Sequence, residues 1–306
     1  EVMAGSVLPH GCDCIIPIEQ IDLSDNTASL HSDASPQAQQ HIHSAGSDTA
    51  AGEILLSSGQ VLNAAELAIA ASCGATHLKV SALPCILIIT TGDELVAPEV
   101  TPLPHQIRRS HATALEALIT GMKLGKVDNI HIADDPLALK DTITEALPAH
   151  DILIFTGGIS KGKYDYVAPV LTELLGSPHF HGIAQRPGKP MAFWKNPNSP
   201  LVFAMPGNPV SVMACAARYL IPSLVEILSG RSPTPQQIPA TGSFHCPSHF
   251  TGLVPCRINN GRIQLVPPSN SGNFLALAAT DGIAQLPGEL TGKELLNEPA
   301  SFYPWA

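Results

Sequence analysis

The 306-residue chain is too long for one minimal domain, and its 44% hydrophobic content fits a globular protein with two or three cores. A formal net charge of −10 argues against a nucleic-acid binder, which normally shows a basic face. Pro, Gly or a charge interrupts every apolar run before the roughly 18–20 residues that cross a membrane, and no secretory leader is visible, so no membrane role is expected.

Residues 1–44 are polar and turn-rich, with short strands expected at IIPIEQIDL and TASLHSD and a loop at SPQAQQHIHSAG. The opening EVMAGSVLPHGCDC reads as the middle of a domain, so an amino-terminal part is expected to be missing. Residues 45–83 predict a turn, a short strand, and a helix that Asn63 can cap and that ends at Cys73 before Gly74.

Residues 84–230 alternate strands and helices. CILIITTGDEL, DNIHIADDP, DILIFTGG and LVFAMPGNP are the strands. CILIITTGDEL is a continuous apolar run that stops abruptly at a polar turn, as buried parallel strands do. Helices are expected over SHATALEALITGMKLG, LALKDTITEAL, YVAPVLTELLG and VSVMACAARYLIPSLVEILSG. Loops at the carboxyl ends of such strands gather in one crevice, so residues 91–95, 133–136, 156–165 and 205–211 should meet. Residues 231–306 return to short strands, with a hairpin signal at Asn259-Asn260-Gly261, and predict a small β-barrel or sandwich.

Ten of the sixteen basic residues fall between Arg108 and Lys195, which points to a small anion bound in that segment. In FTGGISKGKYDYV, Gly157 and Gly158 let backbone N–H groups turn inward, Ser160 adds a hydroxyl, and Lys161 and Lys163 add charge. The same loop also reads as a tight strand–helix turn with Asp165 as its cap. TTGDEL brings Thr91 and Gly92 together with Asp93 and Glu94. Carboxylates beside an anion call for a divalent cation between them, and Mg²⁺ is commonly held by one or two carboxylates plus phosphate oxygens. ADDP offers Asp134 and Asp135 at a helix start, also an ordinary place for a cap. AQRPGKPMAF mounts Arg186 and Lys189 three residues apart between stiffening prolines, a rigid mounting that favours oxyanion binding. MPGNPVS (Pro206, Gly207, Asn208, Ser211) supplies a helix N-terminus, which favours anions.

The seven cysteines (12, 14, 73, 85, 215, 246, 256) are scattered, mostly in apolar runs, as buried structural thiols are. They form no disulfide framework, so a reducing, cytoplasmic location is expected. Cys12 and Cys14 would share a strand face, but no second pair completes a metal site. The pairs His41/His43 and His179/His181 read as exposed strand histidines.

Taken together and in this order, TGDEL, TGGISKGKYDY, RPGKPMAF and PGNPVS resemble the molybdopterin molybdenumtransferase family. LPHGCDCIIPIE, GSDTAAGEILLSSGQVL, SGNFLALAATDGIAQLP and the terminal FYPW extend the likeness over nearly the whole chain, without about the first hundred residues of a usual member. The resemblance implies an α/β multidomain fold. Residues 1–44 would be a remnant of an all-β domain and 45–83 part of an elongated α+β first domain. Residues 84–230 would be a three-layer molybdopterin-binding domain with a mostly parallel sheet, and 231–306 a β-barrel-like domain.

It also implies the last step of molybdenum cofactor assembly, in which an adenylylated molybdopterin receives molybdenum from molybdate and AMP leaves. On the matching positions the essential acids are Asp48, Glu94, Asp134 or Asp135, and Asp165, with Glu94 and Asp165 as Mg²⁺ ligands. Arg186 and Lys189 are the molybdate-side cations. Thr91, Gly92, Gly157, Gly158, Ser160, Lys161, Pro206, Gly207, Asn208 and Ser211 would hold the pterin adenylate, with Arg257 and Ser271 added from the last domain. A homodimer whose sites are completed across the two copies is implied, with transient contact to the pathway's adenylyltransferase. Three departures stand out: Arg186 where many members have Lys, Arg109-Ser110-His111 where many have Asp-Ser-Asn, and Ala4 where Thr is common. A non-catalytic pterin-binding scaffold is the competing reading. The related adenylyltransferase is a third, and the flanking β domains and RPGKP argue against it.

Overall fold

The computed structural model describes residues 1–160, 162, 165–270 and 272–305. Residues 1–63 hold little regular structure beyond an antiparallel hairpin of β1 (Ile21–Ser24) and β2 (Thr27–Leu30), with Ile21 opposite Leu30. The short strand expected within residues 45–63 is absent. Turns occupy that stretch, Gly46, Gly52 and Gly59 take positive φ, and Ile54 stands exposed with no neighbouring strand to pair. Helix α1 (Ala64–Ser72) begins where its sequence says it should. The Asn63 side chain accepts from the Ala65 N–H at 2.8 Å, and Glu66 accepts from the Asn63 N–H at 3.0 Å, a reciprocal capping box.

Strand β3 (Cys85–Thr91) is followed by a small parallel pair, β4 (Leu95–Val96) and β5 (Ile107–Arg108), then by β6 (Lys126–Ile132) and β7 (Ile152–Thr156). Next come β8 (Phe180–His181), β9 (Gln185–Arg186), β10 (Ala192–Trp194) and β11 (Leu201–Met205). The central sheet has the order β6-β3-β7-β11-β10-β8. The first four strands run parallel, and β10 and β8 each pair antiparallel with the strand before them.

Strict alternation divides the side chains of this sheet between two cores. Ile86, Ile88, Ile152 and Ile154 face helices α2 (His111–Gly121), α5 (Pro209–Cys215) and α6 (Ile221–Ser229). Leu87, Ile89, Leu153 and Phe155 face α3 (Pro136–Ala146) and α4 (Val167–Leu175). Both faces are dry, which is why these strands read as unbroken apolar runs. The expected three-layer α/β domain is therefore present.

The carboxyl-terminal strands are β12 (Gln236–Gly242), β13 (Thr251–Asn259), β14 (Arg262–Leu265), β15 (Gly282–Pro287) and β16 (Leu295–Pro304). They run β14-β12-β16-β15-β13, and β13 closes the circle by pairing again with β14, giving a small barrel. Asn260 and Gly261 turn the expected hairpin, with Asn259 opposite Arg262.

Two expectations need correction. Only Cys215, Cys246 and Cys256 are buried; Cys12, Cys73 and Cys85 are exposed and Cys14 is half-buried, because the segments around them lie at the edge of the fold. The helical run Pro209–Ser229 is long and apolar enough by composition to cross a membrane, with 21 residues and a mean hydropathy of 1.5. Arg218 and Pro222 do not lower its hydropathy enough to disqualify it, yet 56% of its most apolar window is buried as a core helix of this fold. Strand β9, which the sequence did not announce, lies outside the central sheet. It pairs with β13 of the barrel, Gln185 opposite Thr251 and Arg186 opposite Gly252.

Candidate functional site

The carboxyl ends of β3, β7 and β11 open into a cleft of about 290 Å³. Thr91, Gly92 and Glu94 follow β3; Gly157, Gly158, Ser160 and Asp165 follow β7; Pro206, Gly207 and Asn208 follow β11. Three strand-end turns can converge this tightly only without side chains. At Gly158, where φ is +63°, a Cβ would lie 2.7 Å from Val167 Cγ2 and 2.9 Å from Thr91 Oγ1.

The floor of the cleft is polar and incompletely satisfied. Thr91 Oγ1, Thr156 Oγ1 and His111 Nε2 are buried and have no hydrogen-bond partner in the protein, and all three residues line the cleft. A buried group left this way costs about 1–3 kcal/mol unless a ligand satisfies it. Burial holds the His111 imidazole below its usual range, so it is neutral at pH 7. Thr156 was not anticipated from sequence, and His111 was singled out there only as part of a departure from the resembled family's pattern. Thr156 occupies the same last-strand position as Thr91, and that repeat was the available signal. His111 sits at the start of α2, and its place on the cleft wall comes from that helix start.

The adjacent acids divide their labour. Asp135 Oδ1 accepts from the N–H groups of Leu137 at 2.8 Å and Ala138 at 3.3 Å, so its carboxylate is committed to capping α3 and does not line the main cleft. Asp134 lines the cleft instead. Burial first, and then the negative charges of Asp93, Glu94 and Asp165, push its carboxyl above the ordinary range, against the pull of a backbone hydrogen bond at Asp93. Among the described residues no three His, Cys, Asp or Glu side chains converge as a preformed metal cage. The crowded negative field fits a cation of the Mg²⁺ type, held by one or two carboxylates and completed by ligand oxygens.

Beside the cleft lies a second cavity of about 690 Å³, between the 185–190 turn and the barrel. Arg186, Lys189 and Ser211 line it, and Pro190, Pro206 and Asn208 belong to the walls of both cavities. The Arg186–Pro187 peptide is cis. Lys189 Nζ lies 5.5 Å from the ring centroid of Phe250, a barrel residue.

Two other candidates lie apart. Asp48 is exposed on the amino-terminal segment, where its carboxylate accepts from Ser47 Oγ at 3.3 Å and stands 3.7 Å from His43 Nδ1. Arg257 donates from Nε to the Ala279 carbonyl and lines a separate depression on the barrel with Asp281. Lys161 and Ser271 lie outside the described residues.

Fold and site together define an α/β protein with a polar cleft at the carboxyl ends of its parallel strands, beside a second cavity lined by Arg186 and Lys189 on a barrel-bound turn. Residues 87–226 match the family described as probable molybdopterin binding domain, and residues 1–74 match the MoeA N-terminal region (domain I and II). A molybdopterin molybdenumtransferase of Synechocystis sp. is 33% identical over 100% of this chain and 77% of its own length. One from Nostoc sp. is 31% identical over 97% of this chain and 71% of its own. A crystal structure of a molybdopterin biosynthesis MoeA protein from Pyrococcus horikoshii OT3 has the same fold, with a TM-score of 0.79 at 21% identity over 99% of this chain and 74% of that one. The chain belongs to the molybdopterin molybdenumtransferase family.

Proposed function

We propose that this chain inserts molybdenum from molybdate into adenylylated molybdopterin and releases AMP. The observation that carries the reading is the wall shared by the two cavities. A phosphorylated ligand cradled by the strand-end glycines would meet, across Pro190, Pro206 and Asn208, an oxyanion held by Arg186 and Lys189. Two anions must come together, and the two cations offset their repulsion.

In this mechanism the backbone of Gly157, Gly158 and Gly207 allows close approach of the ligand's phosphates. Thr91, Thr156 and His111 satisfy their buried polar atoms on the ligand, which fixes its orientation. Glu94 and Asp165 would hold Mg²⁺, which when bound supplies positive charge at the phosphoanhydride oxygens. Arg186 and Lys189 hold molybdate toward the pterin side. Ser211, buried at the second cavity's wall, adds a hydroxyl.

The chain acts as a homodimer in this reading, and a second copy brings Asp48 to the cleft. Strongly exposed apolar residues on the amino-terminal segment, Val7, Ile54 and Val61 among them, support such an association. Seven free cysteines suit a reducing compartment.

The test is AMP release from adenylylated molybdopterin by the purified chain, with and without molybdate and Mg²⁺. Release that requires both additions is the expected result. Bound substrate without release under any condition would leave a pterin-binding scaffold.

A further inference from the structure

The turn that carries Arg186 and Lys189 rests on a buried polar chain that the reaction itself does not use. Gln185 is 1% exposed, one of the few buried polar side chains described. Its Nε2 donates to the Gly188 carbonyl at 3.3 Å and lies 3.6 Å from Cys215 Sγ, while its Oε1 accepts from the Tyr219 hydroxyl. One end of the amide is thus tied to the turn that mounts the two cations and the other to Tyr219 outside it. Gly188 has no room for a side chain: at φ +90°, a Cβ there would lie 2.5 Å from Cys215 Sγ and 2.7 Å from Gln185 Nε2.

Tyr219 reaches this position from a π-helical turn, Ala216–Leu220, set between α5 and α6. The preceding residue, Arg218, faces the barrel. Its guanidinium lies between two rings, 5.0 Å from the centroid of Tyr219 and 4.9 Å from that of Tyr303 in β16. Its Nε donates to Gln285 Oε1 of β15 at 2.5 Å, and the Tyr303 hydroxyl donates to the same oxygen at 3.3 Å. Burial pushes the Tyr219 hydroxyl up to about 12, so it remains a donor throughout the physiological range. An apolar contact among Ala214, Ala217, Leu253 and Ile283 already joins α5 and the π turn to the barrel. The polar chain therefore adds direction to a joint that hydrophobic packing already holds.

We propose that Gln185 is a positioning residue, tethered by Tyr219 and through it by Arg218 to the barrel, which fixes Arg186 and Lys189 in the geometry that binds the oxyanion. This rests on the reading of that turn as the molybdate site.

The experiment is calorimetric titration of the full chain with molybdate alone, which requires neither pterin nor turnover. Arg186→Gln is expected to abolish binding. Tyr219→Phe keeps the ring against Arg218 and is expected to weaken binding about tenfold, the size of one buried hydrogen bond left unmade. The double change Gln185→Met with Tyr219→Phe removes both polar partners, so its melting temperature should recover toward wild type. Its molybdate affinity should stay low, which a merely structural role would not produce. Wild-type affinity in either the single or the double variant, with Arg186→Gln still defective, overturns the positioning role and leaves the site intact. A wild-type chain that binds no molybdate overturns the oxyanion reading of the turn and this proposal with it.

Discussion

Asp134 and Asp135 show how far one position moves a carboxylate. The first faces a cleft that also holds Glu94 and Asp165; the second is spent on two N–H groups of α3. Because the Asp134 carboxyl titrates above its ordinary value of 3.8 in the fold, the native state binds that proton more tightly than the unfolded chain does. Its contribution to stability is fully present below 3.8 and is lost as pH rises through the raised value. Asp134→Asn should therefore raise the melting temperature of the ligand-free protein at pH 7, leave it unchanged near pH 3, and reduce AMP release. A lower melting temperature at pH 7 would contradict this. For Glu94→Ala and Asp165→Ala, made separately, AMP release should fall about a hundredfold or more, as when a charge-stabilising group is removed from a transition state. Turnover that survives both changes would falsify their assignment.

At the scale of elements, the cap on α3 is worth a definite amount. Asp135→Ala should cost about 1 kcal/mol in urea denaturation while the KM values of AMP release stay put. The contrast with Asp134 separates capping from ligand contact. The parallel strands were legible because burial on both faces leaves an unbroken apolar signal, as in Ile86–Ile89 and Ile152–Phe155. The strands β9 and β10 were not, since two or three residues among prolines carry no periodicity and their partners are remote in sequence, whereas the alternation His179-Phe180-His181 did mark β8. The ten-residue β16 was hidden for a related reason. LLNEPASFYP contains two prolines and is only partly buried, and it is held as a strand by pairing with β12 and β15. The glycines and acids of the cleft were readable as motifs and His111 as a departure from one, whereas Thr156 became visible only once the strand ends met. Asp48 and Arg257 matched motifs too, yet a motif does not say which surface its loop will face.

For the whole molecule, the contrast between a dry central sheet and an exposed amino-terminal segment sets an expectation about association. Ile54 and Val61 are 84% and 78% exposed, so changing them to Lys should leave the melting temperature of an isolated copy nearly unaltered. In sedimentation velocity, the unmodified chain should run as a dimer and the Ile54→Lys/Val61→Lys variant should shift toward monomer. A monomeric unmodified chain would remove the route by which Asp48 joins the cleft.

The apolar run Pro209–Ser229 carries a further consequence, one of timing during synthesis. Ala214 and Ala217 are covered by Leu253, Ile283 and Tyr303, all of which leave the ribosome later. At 5–20 residues per second, the roughly 80 residues that follow the run take about 4–16 s to appear. For that interval a 21-residue helix with the hydropathy of a membrane span has only its sheet-facing side protected. The nascent chain thus exposes an apolar helix face at one defined stage, and translation that pauses between the helix and the barrel prolongs that exposure.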